Sequence, residues 1–294
     1  MLAAVRAALI VNPFASAVTE ERVAAVTRAL GGPEVLRTER PGHATELARE
    51  ACSTVDALYV FSGDGGFNEA LNGADGVTPL GFIPGGGTSV LSRALGLPRD
   101  PVQAATRLVA GRTRRISLGR VNERRFGFSA GVGLDAEFIR RVDALGRASA
   151  GKRAGDLAFA WTAVRTLAER RARMDATITL HGIGRAAFLL VANCDPYTYL
   201  GRLPLRIAPL ARFELGLDLV APRRLTPSLL PRLCFYLARG GGQEHDPRIL
   251  YRHDLNRLDA RCDQPTPLQV DGEDLGDVTG AAFEAERDAV TVLC

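Results

Sequence analysis

Along its first half the chain alternates short, continuously apolar runs with segments whose apolar positions recur every three or four residues. Residues 5–11, 34–37, 57–61 and 80–83 read as strands. Residues 19–30, 44–51, 89–95 and 100–109 read as helices. Val23, Val26 and Leu30 share one helical face and Gly31-Gly32 is its stop, while Asp100-Pro101 is a start signal, with Asp at the cap and Pro at the first helical position. Continuously apolar strands alternating with helices predict a parallel sheet covered on both faces. The loops after such strands gather on one rim, where ligands bind.

After about Arg115 the pattern changes to period two. Phe126 and Phe128 alternate with small residues, and Ala176, Ile178 and Leu180 alternate with Thr177 and Thr179 before a Gly182–Gly184 turn, which is hairpin chemistry. Further strands are expected at 187–192, 213–220, 249–262, 268–270 and 289–293, and a helix at 226–239. The expected architecture is a Rossmann-like α/β domain over residues 1–116, then an antiparallel β-sandwich over 117–294, whose last segment is a candidate to return to the first domain. A helical insertion is expected over 135–174. Its latter part sets Leu157, Phe159, Trp161, Val164 and Leu167 against Arg165, Arg170, Arg171 and Arg173, a face that packs on the sheet or lies on an anionic membrane surface.

Composition narrows the function classes. With 46% hydrophobic and 24% charged residues among 294, the chain has the make-up of a globular protein with room for real cores. A net charge of +4, almost all of it from arginine, falls short of the concentrated basic patch expected of a nucleic-acid binder and suits docking to anionic headgroups. No apolar run reaches the ~18–20 residues of a membrane span, and the start reads as a strand rather than a signal peptide. Cys52, Cys194, Cys234, Cys262 and Cys294 are scattered and lack metal-ligand spacing, which fits reduced thiols in a cytoplasmic protein. The four histidines form no HxxH or HExxH pattern, and no GxSxG elbow is present.

The candidate chemistry lies in three loops. Gly63-Asp64-Gly65-Gly66 follows an apolar strand and leads to Asn68-Glu69, the expected helix opening; glycines there let the backbone approach a ligand closely, and a helix N-terminus suits phosphate. An acid within a phosphate loop calls for a cation between acid and ligand, so Asp64 points to a metal-assisted nucleotide site. The loops Asn12-Pro13-Phe14-Ala15-Ser16 and Pro84-Gly85-Gly86-Gly87-Thr88 follow two other strands. The pattern is neither a Walker loop, whose lysine is missing, nor GxGxxG. Later, Asp271-Gly272-Glu273 places two carboxylates across a glycine, a pairing suited to general base and support roles or to a polar turn. Asp218, inside an apolar strand, needs a partner such as a cation or an arginine.

In this order the motifs resemble the diacylglycerol-kinase catalytic family, which includes bacterial lipid kinases and sphingosine kinases. Asn12-Pro13 resembles its NP motif, Gly63 to Glu69 its GDGTxNE signature, and Pro84 to Ser89 with Arg93 to Pro98 its PxGTxN…ARxLGLP stretch, while Ala208-Pro209, Gly216-Leu217-Asp218 and Asp271-Gly272-Glu273 follow in family order. The resemblance implies an NAD-kinase-like first domain, a β-sandwich second domain and a cleft between them. It implies ATP held by Asn12, Pro13, Phe14, Ala15 and Ser16, by Thr38, by Gly63, Asp64, Gly65, Gly66, Phe67, Asn68 and Glu69, and by Gly87 and Thr88. It implies Glu273 as the base, Asp64 and Asp271 in support of Mg²⁺ and nucleotide, and a structural Mg²⁺ on Asp218 with the carbonyls of Leu215 and Val220. The implied activity is phosphorylation of diacylglycerol or a related lipid in phospholipid biosynthesis, at the membrane surface, with a homodimer left open. The alternatives are a soluble nucleotide kinase of the NAD-kinase type and a non-catalytic nucleotide or lipid sensor. Gly66, Gly87 and Ser89 depart from the family's Thr, Thr and Asn; the missing hydroxyl at Gly66 is expected to weaken binding without abolishing chemistry, so that Gly66→Thr should leave activity equal or higher.

Overall fold

The computed structural model describes residues 6–148 and 173–294. The chain divides into two compact units, Met1–Leu118 with Arg287–Cys294, and Gly119–Glu286.

The first unit is built on parallel strands β1 (Ala7–Val11), β2 (Glu34–Arg37), β3 (Ala57–Ser62) and β4 (Leu80–Pro84), in the spatial order β2-β1-β3-β4. Every residue of β3 and β4 is buried, as expected for strands covered on both faces. The carboxyl ends are level: Val11 pairs with Arg37 and Phe61, and Ser62 with Pro84. Helices α1 (Glu20–Ala29), α2 (His43–Cys52), α3 (Asp64–Gly73), the short α4 (Val90–Ala94) and α5 (Pro101–Ala110) connect them. The Thr19 hydroxyl caps α1 and the Asp100 carboxylate caps α5 by accepting from Gln103 N–H, which matches the sequence signals. Leu9, Val11, Phe61 and Ile83 close on Val26, Ala104 and Leu108 from α1 and α5 as one core.

The second unit is antiparallel and β-rich. Strands β7 (Ser129–Val132), β10 (Leu189–Ala192), β13 (Leu217–Pro222), β14 (Ile249–Leu255), β15 (Arg257–Val270) and β16 (Glu273–Leu293) run in the order β14-β13-β10-β7-β15-β16; β5 (Thr113–Val121) pairs with β16 and β6 (Arg124–Phe126), and β8 (Ile178–Leu180) with β15 and β9 (Gly184–Ala186). The fold class, α/β followed by a β-rich part, is thus as the patterning indicates. Several boundaries differ. The strand expected from Phe213 begins at Leu217, because Leu215 N–H closes a turn on the Arg212 carbonyl. The strand expected over 249–262 is broken near Asn256, next to Asp254 in the left-handed region (φ 58). The helix expected from Thr226 starts at Leu230, after a turn in which Leu229 N–H reaches the Thr226 carbonyl. The insertion opens with α6 (Leu134–Ala148), and its arginine-rich latter part, apart from Arg173, lies outside the described residues.

Candidate active site

The level carboxyl ends of the four parallel strands bring Asn12, Thr38, Gly63 and Gly85 to one edge of the first unit. Backbone bonds tie these loops together: Asn12 N–H donates to Phe61 O (3.1 Å), Thr38 N–H to Val11 O (2.9 Å), Ala17 N–H to Gly85 O (2.9 Å) and Gly85 N–H to Ser62 O (2.7 Å). Asn12 Oδ1 accepts from Phe14 N–H at 2.9 Å and shapes the turn that carries Pro13, Ala15 and Ser16, leaving the Phe14 ring exposed. Gly63 and Gly86 meet backbone to backbone, since a Cβ on Gly86 would stand 2.9 Å from Gly63 Cα. Glycine at Gly86 is therefore a packing requirement, whereas a Cβ on Gly63 would make an ordinary 3.5 Å contact with Gly86 Cα.

Helix α3 begins at Asp64, earlier than the Asn68-Glu69 opening that the sequence suggests, so Gly65 and Gly66 present their amides in its first turn. The buried Asp64 carboxylate accepts from Val90 N–H (2.9 Å) and Leu91 N–H (3.1 Å), which locks the glycine loop before α4 to the start of α3. Glu69 does the equivalent for the loop between β2 and α2 by accepting from Gly42 N–H (2.8 Å) and Ala44 N–H (3.1 Å) at the start of α2. Phe67 packs edge-on against Phe82 at 5.2 Å and Asn68 is buried, so both are structural supports. The two carboxylates thus fix the neighbouring loops around the start of α3, whose Gly65 and Gly66 amides lie in the first turn of the helix, the chemistry of a phosphate cradle.

In the second unit, Asp271 occupies a left-handed turn (φ 48) between β15 and β16, and its carboxylate accepts from Gly127 (2.7 Å), Phe128 (2.9 Å) and Ser129 (3.1 Å) N–H. It anchors the turn that presents Glu273, which is partly exposed, with Arg124 Nη2 at 3.5 Å. Asp135, absent from the sequence-derived candidates, is buried; its carboxylate accepts from Gln269 Nε2 (2.6 Å) and the Tyr197 hydroxyl. Burial raises its pKa to about 6 against the lowering effect of those two bonds. Gln269 Oε1 in turn accepts from Gly272 N–H at 2.9 Å, so Asp135 is wired to the Glu273 turn. The available signal was the acid directly after Gly131-Val132-Gly133-Leu134, at a helix start.

Asp218 lies fully buried in β13, and its side-chain partners are Tyr251 and His253 rather than an arginine. Its Oδ2 accepts from the Tyr251 hydroxyl (2.6 Å), and its Oδ1 meets His253 Nδ1 (2.7 Å) and Asp254 N–H (3.2 Å). Protein donors satisfy both oxygens, so this donor set does not fit a structural Mg²⁺ on Asp218, Leu215 and Val220. No group of three or more His, Cys, Asp or Glu side chains suited to a metal occurs among the described residues.

Comparison with known proteins supports the family resemblance over the first part of the chain. Residues 6–121 match the diacylglycerol kinase catalytic domain. A diacylglycerol kinase of Bacillus subtilis is 40% identical over 97 residues, covering 31% of this chain and 32% of the relative. One from Staphylococcus saprophyticus is 38% identical over 93 residues, covering 30% of each. The matches thus span about a third of the length of these curated relatives. A crystal structure of a diacylglycerol kinase from Bacillus anthracis str. Sterne superposes with a TM-score of 0.71 at 21% identity, over 98% of this chain and 96% of the other, which establishes the shared fold.

Set beside the diacylglycerol kinase signature, the three departures are physically unequal. At Gly87 a Cβ would meet nothing within 4 Å, so a Thr fits there sterically. Ser89 adopts φ 48, a conformation that suits Asn better, and its Oγ accepts from Gly86 N–H at 3.2 Å. Gly66 is different, because the Ser62 side chain fills the space next to it. The expectation that Gly66→Thr is harmless is therefore corrected: the site that a threonine would use is occupied.

Proposed function

We propose that this chain is an ATP- and Mg²⁺-dependent lipid kinase that transfers the γ-phosphoryl group to a hydroxyl of diacylglycerol or a related lipid at a membrane surface. The observation that carries this reading is the rim of glycine loops on four level parallel strands, held open by Asp64 and Glu69, in the segment that matches the diacylglycerol kinase catalytic domain. Phosphoryl transfer needs positioning and charge neutralisation more than covalent chemistry, and such a rim supplies positioning.

In this reading the nucleotide phosphates meet the Gly65 and Gly66 amides at the start of α3 and the amides of Gly87 and Thr88, while the Asn12, Phe14, Gly85 and Gly86 amides are spent on holding the loops in shape. Mg²⁺ would supply neutralisation of the developing phosphate charge and would be held largely by phosphates and water; both Asp64 oxygens already accept backbone amides, so Asp64 would serve it by fixing the loops around the phosphates rather than as a direct ligand. Glu273 takes the proton from the acceptor hydroxyl as that oxygen bonds to the γ-phosphorus, and the bond to the β–γ bridging oxygen breaks to release ADP. Asp271 acts through Glu273 as a positioning residue.

The test is radiolabelled phosphate transfer from Mg-ATP to diacylglycerol, phosphatidylglycerol, sphingoid bases and polyprenols by the wild type and by Glu273→Ala. Transfer to one lipid class, lost in the variant, is expected. Absence of transfer to every lipid, or phosphorylation of NAD in their place, would overturn the proposal.

A further inference from the structure

An exposed apolar and arginine-bearing patch in the second unit has no role in the chemistry above. Strands β11 (Thr198–Leu200) and β12 (Leu203–Leu205) form a hairpin in which Leu200 pairs directly with Leu203. Directly paired residues point to the same face, so the two leucines stand side by side, 47% and 49% exposed, with exposed Arg202 at the tip. Beside the hairpin lies α7 (Leu230–Arg239), joined to it through the Arg206 N–H to Leu237 carbonyl bond at 3.3 Å. Leu233 and Tyr236 turn one side of α7 onto the core that includes Ala208 and Tyr251, whereas Phe235 stays 55% exposed with the Arg239 guanidinium 5.7 Å from its ring centre.

The charge on this patch has one sign. Residues 197–212 contain Arg202, Arg206 and Arg212, residues 226–239 contain Arg232 and Arg239, and neither stretch contains an acid. Arg206 and Arg232 are turned to Asp195 and Asp246, while Arg202 and Arg239 have no acidic partner among the described residues. Half-exposed leucines and a phenylalanine flanked by unpaired arginines complement an interface that is anionic at its surface and apolar beneath it.

We propose that the β11–β12 hairpin and α7 dock this chain onto a bilayer containing anionic phospholipid, with Leu200, Leu203 and Phe235 entering the acyl boundary and Arg202 and Arg239 meeting headgroup phosphates. The proposal rests on the reading that the acceptor is a membrane lipid, but vesicle binding is measurable without ATP or turnover, so the two fail separately. The full chain is sedimented with sucrose-loaded vesicles of phosphatidylcholine alone or with phosphatidylglycerol. Wild type is expected to partition onto phosphatidylglycerol vesicles, and Leu200→Ser/Leu203→Ser/Phe235→Ser to lose at least about tenfold. Arg202→Gln/Arg239→Gln, on exposed positions that leave the fold intact, is expected to lose about fivefold or more per arginine on anionic vesicles only. Equal binding to both vesicle types, wild-type binding by the arginine variant, or no vesicle binding by the wild type would overturn the proposal.

Discussion

Ser62 Oγ stands 2.2 Å, and Ser62 Cβ 2.8 Å, from the point that a Cβ on Gly66 would occupy, so the two positions cannot both carry a side chain in this backbone. Ser62 is buried, and its hydroxyl has no hydrogen-bond partner among the described residues. Where the family signature has a threonine after Gly-Asp-Gly, this chain places a hydroxyl from the preceding strand end in the same space.

Gly66→Thr alone is therefore expected to cost about 1–3 kcal/mol through overpacking, seen as a lowered Tm, and to weaken ATP binding by calorimetry. Ser62→Gly/Gly66→Thr should recover both, and Gly87→Thr, whose Cβ meets open space, should leave stability near wild type. A fully stable Gly66→Thr single variant would show that the loop relaxes and that the two positions are independent.

The Asp271 carboxylate is the acceptor for three backbone N–H groups and holds a left-handed turn, a double structural duty. Asp271→Ala leaves buried donors unpaired and puts an alanine at positive φ, which together should cost about 3–5 kcal/mol in urea unfolding. Asp271→Asn keeps one oxygen and tolerates the turn, so its loss should be about half of that. A stable but inactive Asp271→Ala would instead place Asp271 in the chemistry and remove its anchoring role.

Patterning showed the parallel strands, the capped helices and the glycine loops because each leaves a local signature: continuous burial in Val60-Phe61, Asp100 before Pro101, glycines where Gly63 and Gly86 touch. What it could not show are relationships between distant positions. Nothing in Leu217-Asp218-Leu219 announces that its acid meets Tyr251 and His253, since that pairing depends on the β13–β14 register. Asp64 illustrates the same limit. Its spacing signals a phosphate loop, yet the bonds to Val90 and Leu91 that fix its orientation arise only when β3 and β4 lie side by side.

Because Tyr251, His253 and Asp254 satisfy Asp218, nucleotide-free protein should melt at the same temperature with and without EDTA. Asp218→Ala should be destabilised by several kcal/mol, since it strands a buried hydroxyl and removes an acceptor for the imidazole. A drop of several degrees on chelation, reversed by added Mg²⁺ in wild type but not in Asp218→Ala, would place a cation on this carboxylate after all.

The buried Asp135 gives stability a pH dependence of defined sign. Its folded pKa of about 6 lies above the ordinary carboxyl value of 3.8, so the folded state holds this proton more tightly than the unfolded chain. Its contribution is fully present below about pH 4 and is lost as the pH rises to about 6, so this group makes unfolding easier across that window, by on the order of 2–3 kcal/mol. Well-paired carboxylates, such as Asp246 with its pKa lowered to about 2 chiefly by Arg248, act in the opposite sense and at lower pH. Asp135→Asn, which keeps a neutral group beside Tyr197 and Gln269, should therefore gain stability relative to wild type as pH increases from 4 to 6.5, measured by urea midpoints at closely spaced pH. Parallel pH profiles for the two proteins would mean that Asp135 titrates like an ordinary carboxyl, and that its link through Gln269 to the Glu273 turn is made in the ionised state throughout.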